Sequence, residues 1–141
     1  MNKFFTFLLL IILSFFFIIG KTFSDENKIK IGILVPLTGD NAELGKQIVK
    51  ATRLALKDIN SDKIEIYPKD TQSDPNKTLS SAIELSNMNI NLVIGPVFYD
   101  NLTFLNEVQN IIFLSLTNKT LDLPKNVIST GINSTSQLNA I

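Results

Sequence analysis

From Lys28 onward the chain alternates continuous apolar runs with amphipathic ones. Lys28 to Pro36 is apolar at both parities in its centre (Ile31, Ile33, Leu34, Val35). That pattern predicts a strand buried on both faces of a parallel sheet, ended by Pro36. A polar turn, Leu37-Thr38-Gly39-Asp40-Asn41, follows. An amphipathic run then reaches Asn60, starting near Asn41 or Ala42 with Asn41 as its N-cap. Leu44, Ile48, Ala51, Ala55 and Ile59 recur at three and four residues and predict its buried stripe. Lys46, Lys50, Arg53 and Lys57 lie mainly off that stripe and read as a solvated face.

The alternation continues. Ile64 to Tyr67 reads as a second strand, and Asp70 to Asp74 as a polar loop. Asp74-Pro75 is a strong helix start, cap then proline at the first turn. Leu79, Ala82 and Ile83 are its expected buried face, and Asn87 to Asn89 closes it. Ile90 to Ile94 is a third strand, ended by Gly95-Pro96. Asp100 or Asn101 would cap a short helix built on Leu102, Leu105 and Val108. Ile111 to Leu114 is a fourth strand, Leu121 to Asn126 is irregular, and Val127 to Ser129 is a short fifth strand. Ser134 to Ile141 resembles a helix start. Strands alternating with helices predict the α/β class: a parallel sheet with helices on both faces, joined by right-handed crossovers.

The N-terminal segment does not fit that pattern. Phe4 to Ile19 is apolar except for Thr6 and Ser14, one lysine (Lys3) precedes it, and Thr22 and Ser24 sit at the −3 and −1 positions of a cut before Asp25. This predicts a signal peptide over 1–24, an exported, periplasmic mature chain over 25–141, and no membrane attachment once the leader is gone. Losing Lys3 and Lys21 takes the net charge from zero to −2. Basic residues are dispersed, so nucleic acid is not an expected partner.

Residue types narrow the chemistry. The chain has no His and no Cys. It therefore lacks a histidine general base, the usual zinc ligands, and a lipid-modified cysteine. Gly32, Gly39 and Gly45 do not have nucleotide-loop spacing. Glu65, Asp70 and Asp74 do not have metal-loop spacing and read as solvated surface charges. No catalytic residue, metal or cofactor is expected. In an open parallel sheet the loops after the strands share one edge, where ligands bind. Those loops supply the candidate ligand-binding residues: Thr38, Gly39, Asp40, Asn41, Tyr99, Asp100, Ser115 and Thr117. Turn and capping duty is the competing reading for Thr38, Asp40 and Asn41.

At this point the residues resemble a family. IGILVPLTGDNAELGKQIVKATRLALKDIN is similar to the opening of the leucine-binding-protein-like family, the type I periplasmic binding proteins. DTQSDPNKT and LVIGPVFYDN resemble its second and third signatures, in order and at the right separations. The resemblance runs from Lys28 to about Ile141. It implies two α/β lobes closing on a small polar ligand or amino acid in the cleft between them. It places Thr38 to Asn41, Tyr99 and Asp100, and Ser115 and Thr117 on three ligand-facing loops. It also implies a first lobe that is incomplete here and a second lobe not present. The chain would then be a fragment or a product that is not a working binder alone. SLTN at Ser115 to Asn118, PKDT at Pro68 to Thr71, and the Arg-free stretch Val127 to Asn133 resemble the penicillin-binding protein activator branch. That likeness implies a non-catalytic domain contacting a peptidoglycan synthase. The alternative implied is a substrate-binding protein serving an ABC permease.

Overall fold

The computed structural model describes residues 28–132 and Leu138. The signal peptide expected over 1–24 lies outside these residues. So does the helix expected from Ser134, apart from Leu138, which is helical.

Strand β1 (Ile29–Val35) leads through helix α1 (Ala42–Ile59) to β2 (Ile64–Asp70), and helix α2 (Pro75–Asn87) leads to β3 (Leu92–Ile94). Two 3-10 turns, Tyr99–Leu102 and Leu105–Glu107, precede β4 (Ile112–Ser115), and β5 (Val127–Ser129) follows. All pairings are parallel, and the order is β2-β1-β3-β4-β5. Ile33 lies opposite Pro68 and Val35 opposite Asp70. Pro68 is tolerated because β2 is an edge strand, where a missing N–H breaks no ladder.

The expected α/β sheet with helices on both faces is what forms. Alternate residues of β1 enter different cores. Ile33 and Val35 pack with Val49 of α1. Leu34 packs on the other face with Ala82 and Leu85 of α2, and with Val93, Leu102, Leu105 and Phe113. Phe113 is fully buried, a transfer worth about 1.5–3 kcal/mol.

Helix α1 buries a different stripe from the expected one. Gly45 and Val49 are buried, with Thr52 and Leu56 half-buried beside them, and of the expected stripe Ile48 packs there as well. Leu44, Ala51, Ala55 and Ile59 face outward. Both sets repeat at three and four residues, so periodicity could not choose between them. The choice follows from Gly45, where any Cβ would collide with the Pro36 carbonyl. Only that face lets the helix approach the end of β1 so closely.

Helix α2 starts as expected, with Asp74 Oδ1 accepting from the Lys77 amide at 2.7 Å and Pro75 in the first turn. Its buried face is Thr78, Ser81, Ala82 and Leu85, while Ile83 is exposed. Two hydroxyls can be buried because both are bonded: Thr78 Oγ1 to the Asp74 carbonyl at 2.7 Å, and Ser81 Oγ to that of Asp70 at 3.0 Å. The short helix expected after β3 is instead the pair of 3-10 turns, capped by neither Asp100 nor Asn101. Leu102, Leu105 and Val108 are buried as expected. Strand β2 runs to Asp70, so the loop expected from Asp70 starts one residue later, at Thr71.

Candidate functional site

The strand order sets where a ligand can sit. From β1 the chain crosses to β2 on one side, then returns past β1 to β3 on the other. Loops after β1 and β3 therefore part from each other at the C-terminal edge. The crevice between them is the binding position of open α/β sheets with this order. The segments that follow β1 and β3 at that edge, Leu37 to Asn41 and Gly95 to Asn101, are its candidate walls.

The first wall is held by Asp70, the last residue of β2. Asp70 Oδ1 accepts from the amides of Leu37 (2.7 Å), Thr38 (3.3 Å) and Gln72 (2.9 Å). Oδ2 accepts from Thr38 Oγ1 at 2.6 Å. Partial burial pushes the carboxyl pKa up, but the Thr38 hydroxyl and the three amides outweigh it and hold it below the usual aspartate value. Asp70 is thus no free surface charge, contrary to the expectation from spacing. Asp74 is a helix cap, and Glu65 alone of the three is simply exposed.

Thr38, Gly39, Asp40 and Asn41 are all exposed. Gly39 turns the loop at φ +79°, a conformation side-chain-bearing residues avoid, and its carbonyl accepts from the Ala42 amide at 3.1 Å. Asn41 occupies the N-cap position but does not cap the helix. Its backbone is at φ −97°, ψ 12°, and its Nδ2 donates to Ser73 Oγ at 3.1 Å. Asn41 instead ties the loop after β1 to the loop after β2.

On the opposite side, Tyr99 is half-buried and packs on the main core. Lys119 Nζ stands 3.5 Å from its ring centroid, a cation–π contact joining the loops after β3 and β4. Asp100 is exposed, and its carbonyl accepts from Thr103 Oγ1 at 2.7 Å. Ser115 and Thr117 are buried. Ser115 Oγ donates to the Pro96 carbonyl at 3.0 Å, and Thr117 Oγ1 accepts from the Lys119 amide at 3.3 Å. Thr130 donates twice to the Ser115 carbonyl, from its amide and its hydroxyl, each at 2.8 Å. Ser129 Oγ donates to the Thr117 carbonyl at 2.7 Å.

The eight candidate residues thus fall at the C-terminal ends of three strands, β1, β3 and β4. Thr38 to Asn41 are an exposed rim fixed by Asp70. Tyr99 and Asp100 follow β3, with Ser115 and Thr117 buried at the end of β4 beside them. Asp70, Ser73 and Lys119 are the residues that spacing alone overlooked. The position of Asp70 opposite the end of β1 is a signal visible only once the register is known. Among the described residues no three His, Cys, Asp or Glu side chains gather closely enough to hold a metal. No described helix is long and apolar enough to cross a membrane.

Residues 28–141 match the family described as periplasmic binding protein. A Leu/Ile/Val-binding protein homolog of Brucella abortus is 37% identical over 82 residues, covering 54% of this chain and 21% of that protein. The match thus spans about a fifth of the curated relative. A solute-binding protein of an ABC transporter from Rhodopseudomonas palustris, solved with 3,4-dihydroxybenzoic acid, superposes with a TM-score of 0.60 at 27% identity, over 64% of this chain and 27% of that one. The C-domain of LpoA from Haemophilus influenzae, a regulator of PBP1A, superposes with a TM-score of 0.59 at 23% identity, over 73% and 32%.

Proposed function

The chain belongs to the periplasmic binding protein family, and from that premise we propose that it supplies one wall of a cleft holding a small polar solute. The parent protein is non-catalytic and exported by the leader over 1–24, and it delivers the solute to an ABC permease. The observation carrying this reading is the exposed rim Thr38 to Asn41 beside the β1/β3 crevice, its start held in one geometry by three hydrogen bonds to Asp70, one from Leu37 and two from Thr38. A rim fixed before binding loses little entropy when a ligand arrives. Relatives support a solute with a carboxylate: one is named for leucine, isoleucine and valine, another was solved with a dihydroxybenzoate. A thermal-shift panel of amino acids and aromatic carboxylates on the full-length protein tests the proposal. Stabilisation by at least one is expected, and stabilisation by none contradicts it.

One observation favours a second reading. The hydroxyls of Ser115, Ser129 and Thr130 are all donated to carbonyls within the lobe. That takes up the hydroxyl donors at the ends of β4 and β5 and suits the activator-like role, contact with a peptidoglycan synthase. Recovery of such a synthase from the envelope with the full-length protein, without any solute effect, would favour it.

A further inference from the structure

Helix α1 carries Lys46, Lys50 and Arg53 at spacings of four and three, which the sequence alone reads as solvent-facing. In the fold these three stand at the rim of a groove between α1 and the edge strand β2. Leu37, Val49 and Pro68 complete its lining, and its volume is about 420 Å³. Val49 is buried and Leu37 and Pro68 are half-buried, so the groove has an apolar floor. Among the described residues none of the three cations is in an ion pair; Lys69 pairs with Glu84 instead. No acidic residue lines the groove.

We propose that this groove docks an acidic segment of a partner protein, one apolar side chain seated on the floor and carboxylates along the basic rim. Three features select that occupant. Lys46 to Arg53 spans about 10 Å at 1.5 Å per helical residue, more than one phosphate or carboxylate can bridge. A peptide with carboxylates spaced along it matches the row. The floor is recessed between helix and strand, so a protruding side chain reaches it and a flat lipid surface does not. The groove lies on the flank of β1 away from β3 and shares only Leu37 with the rim segment, so its basic row stands apart from Thr38 to Asn41. The inference is therefore independent of which solute, if any, the β1/β3 crevice holds.

The test uses the full-length protein and fluorescence anisotropy. The probe is a labelled peptide with aspartates and glutamates flanking one leucine. A counterpart carrying Asn and Gln serves as control, beside phosphatidylglycerol vesicles. The acidic peptide should bind with an affinity that falls as salt rises, and the neutral one should not. K46E/K50E/R53E should weaken binding by at least about tenfold, three exposed charge pairs being lost and reversed. These side chains are exposed, so circular dichroism and the melting temperature should stay near wild type. Equal binding of the neutral peptide, no binding of the acidic one, unchanged binding by the triple variant, or binding to the vesicles alone would each overturn the proposal.

Discussion

Asp70 and Thr38 are 32 residues apart in sequence, yet Asp70 Oδ2 receives the Thr38 hydroxyl at 2.6 Å. Asp70 ends β2, opposite Val35 at the end of β1. The parallel register therefore places the carboxylate level with the loop that leaves β1. Through this one side chain the edge strand sets the geometry of the turn that follows β1.

Replacing Asp70 tests that relationship. Asp70→Ala removes the acceptor for three amides and a hydroxyl. Because the site is only partly buried, water compensates in part, and a stability loss of about 1–2 kcal/mol is expected. The sharper effect should be local. Amide exchange at Leu37 and Thr38 should accelerate by at least about tenfold, the change that one such bond's loss produces. Hydrogen-exchange mass spectrometry checks both.

Acid should weaken the same contacts. The folded-state pKa of Asp70 is depressed. Its contribution is therefore fully present above the unfolded pKa and is lost as pH falls through the lower folded one. Glu84, held down by its hydrogen bond and ion pair with Lys69 at 2.6 Å, follows the same sign. In a carbon-detected NMR titration the Asp70 carboxyl should titrate below the ordinary aspartate value. In Thr38→Val the Asp70 midpoint should rise, because the Thr38 hydroxyl is the strongest of the lowering contacts.

Asn126 should prove more costly to lose than its loop position suggests. Its Nδ2 lies within 2.9, 3.0 and 3.3 Å of the carbonyls of Leu105, Val108 and Ile111. Asn126→Ala leaves those acceptors without it, partly offset by removing its own unpartnered amide oxygen, and should cost about 1–2 kcal/mol. Urea denaturation measures this, and no change would show that the three carbonyls find water instead.

Asn101 should behave in the opposite way. The residue is 1% exposed, and among the described residues neither amide atom has a hydrogen-bond partner. A buried polar group left unpaired is destabilising, so Asn101→Leu should raise stability by about 1 kcal/mol. A rise in the urea midpoint is the expected outcome.

How much of this was legible in the sequence depended on whether a feature was local. The class, the strand order by type, and the Asp74-Pro75 helix start could be read because each rests on neighbouring residues. The outward face of α1 could not be read. Two apolar stripes, one through Leu44 and one through Val49, satisfy the same period, and the contact between Gly45 and Pro36 decides between them. The burial of Thr78 and Ser81 was likewise hidden, since hydroxyls look polar until their carbonyl partners are placed. At the site, Thr38 to Asn41 could be named from the turn itself. Asp70 could not, because its role comes from register across two strands.

The central claim is that the β1/β3 crevice is where a solute binds, with Thr38 and Tyr99 on its two walls. Isothermal titration of the full-length protein measures it directly, using the solute that gives the largest thermal shift. Thr38→Val and Tyr99→Ala should each weaken binding by at least about tenfold, or roughly 1.4 kcal/mol, while K46E/K50E/R53E on the outer flank should bind as wild type does. Unchanged affinity in both crevice variants would contradict the account.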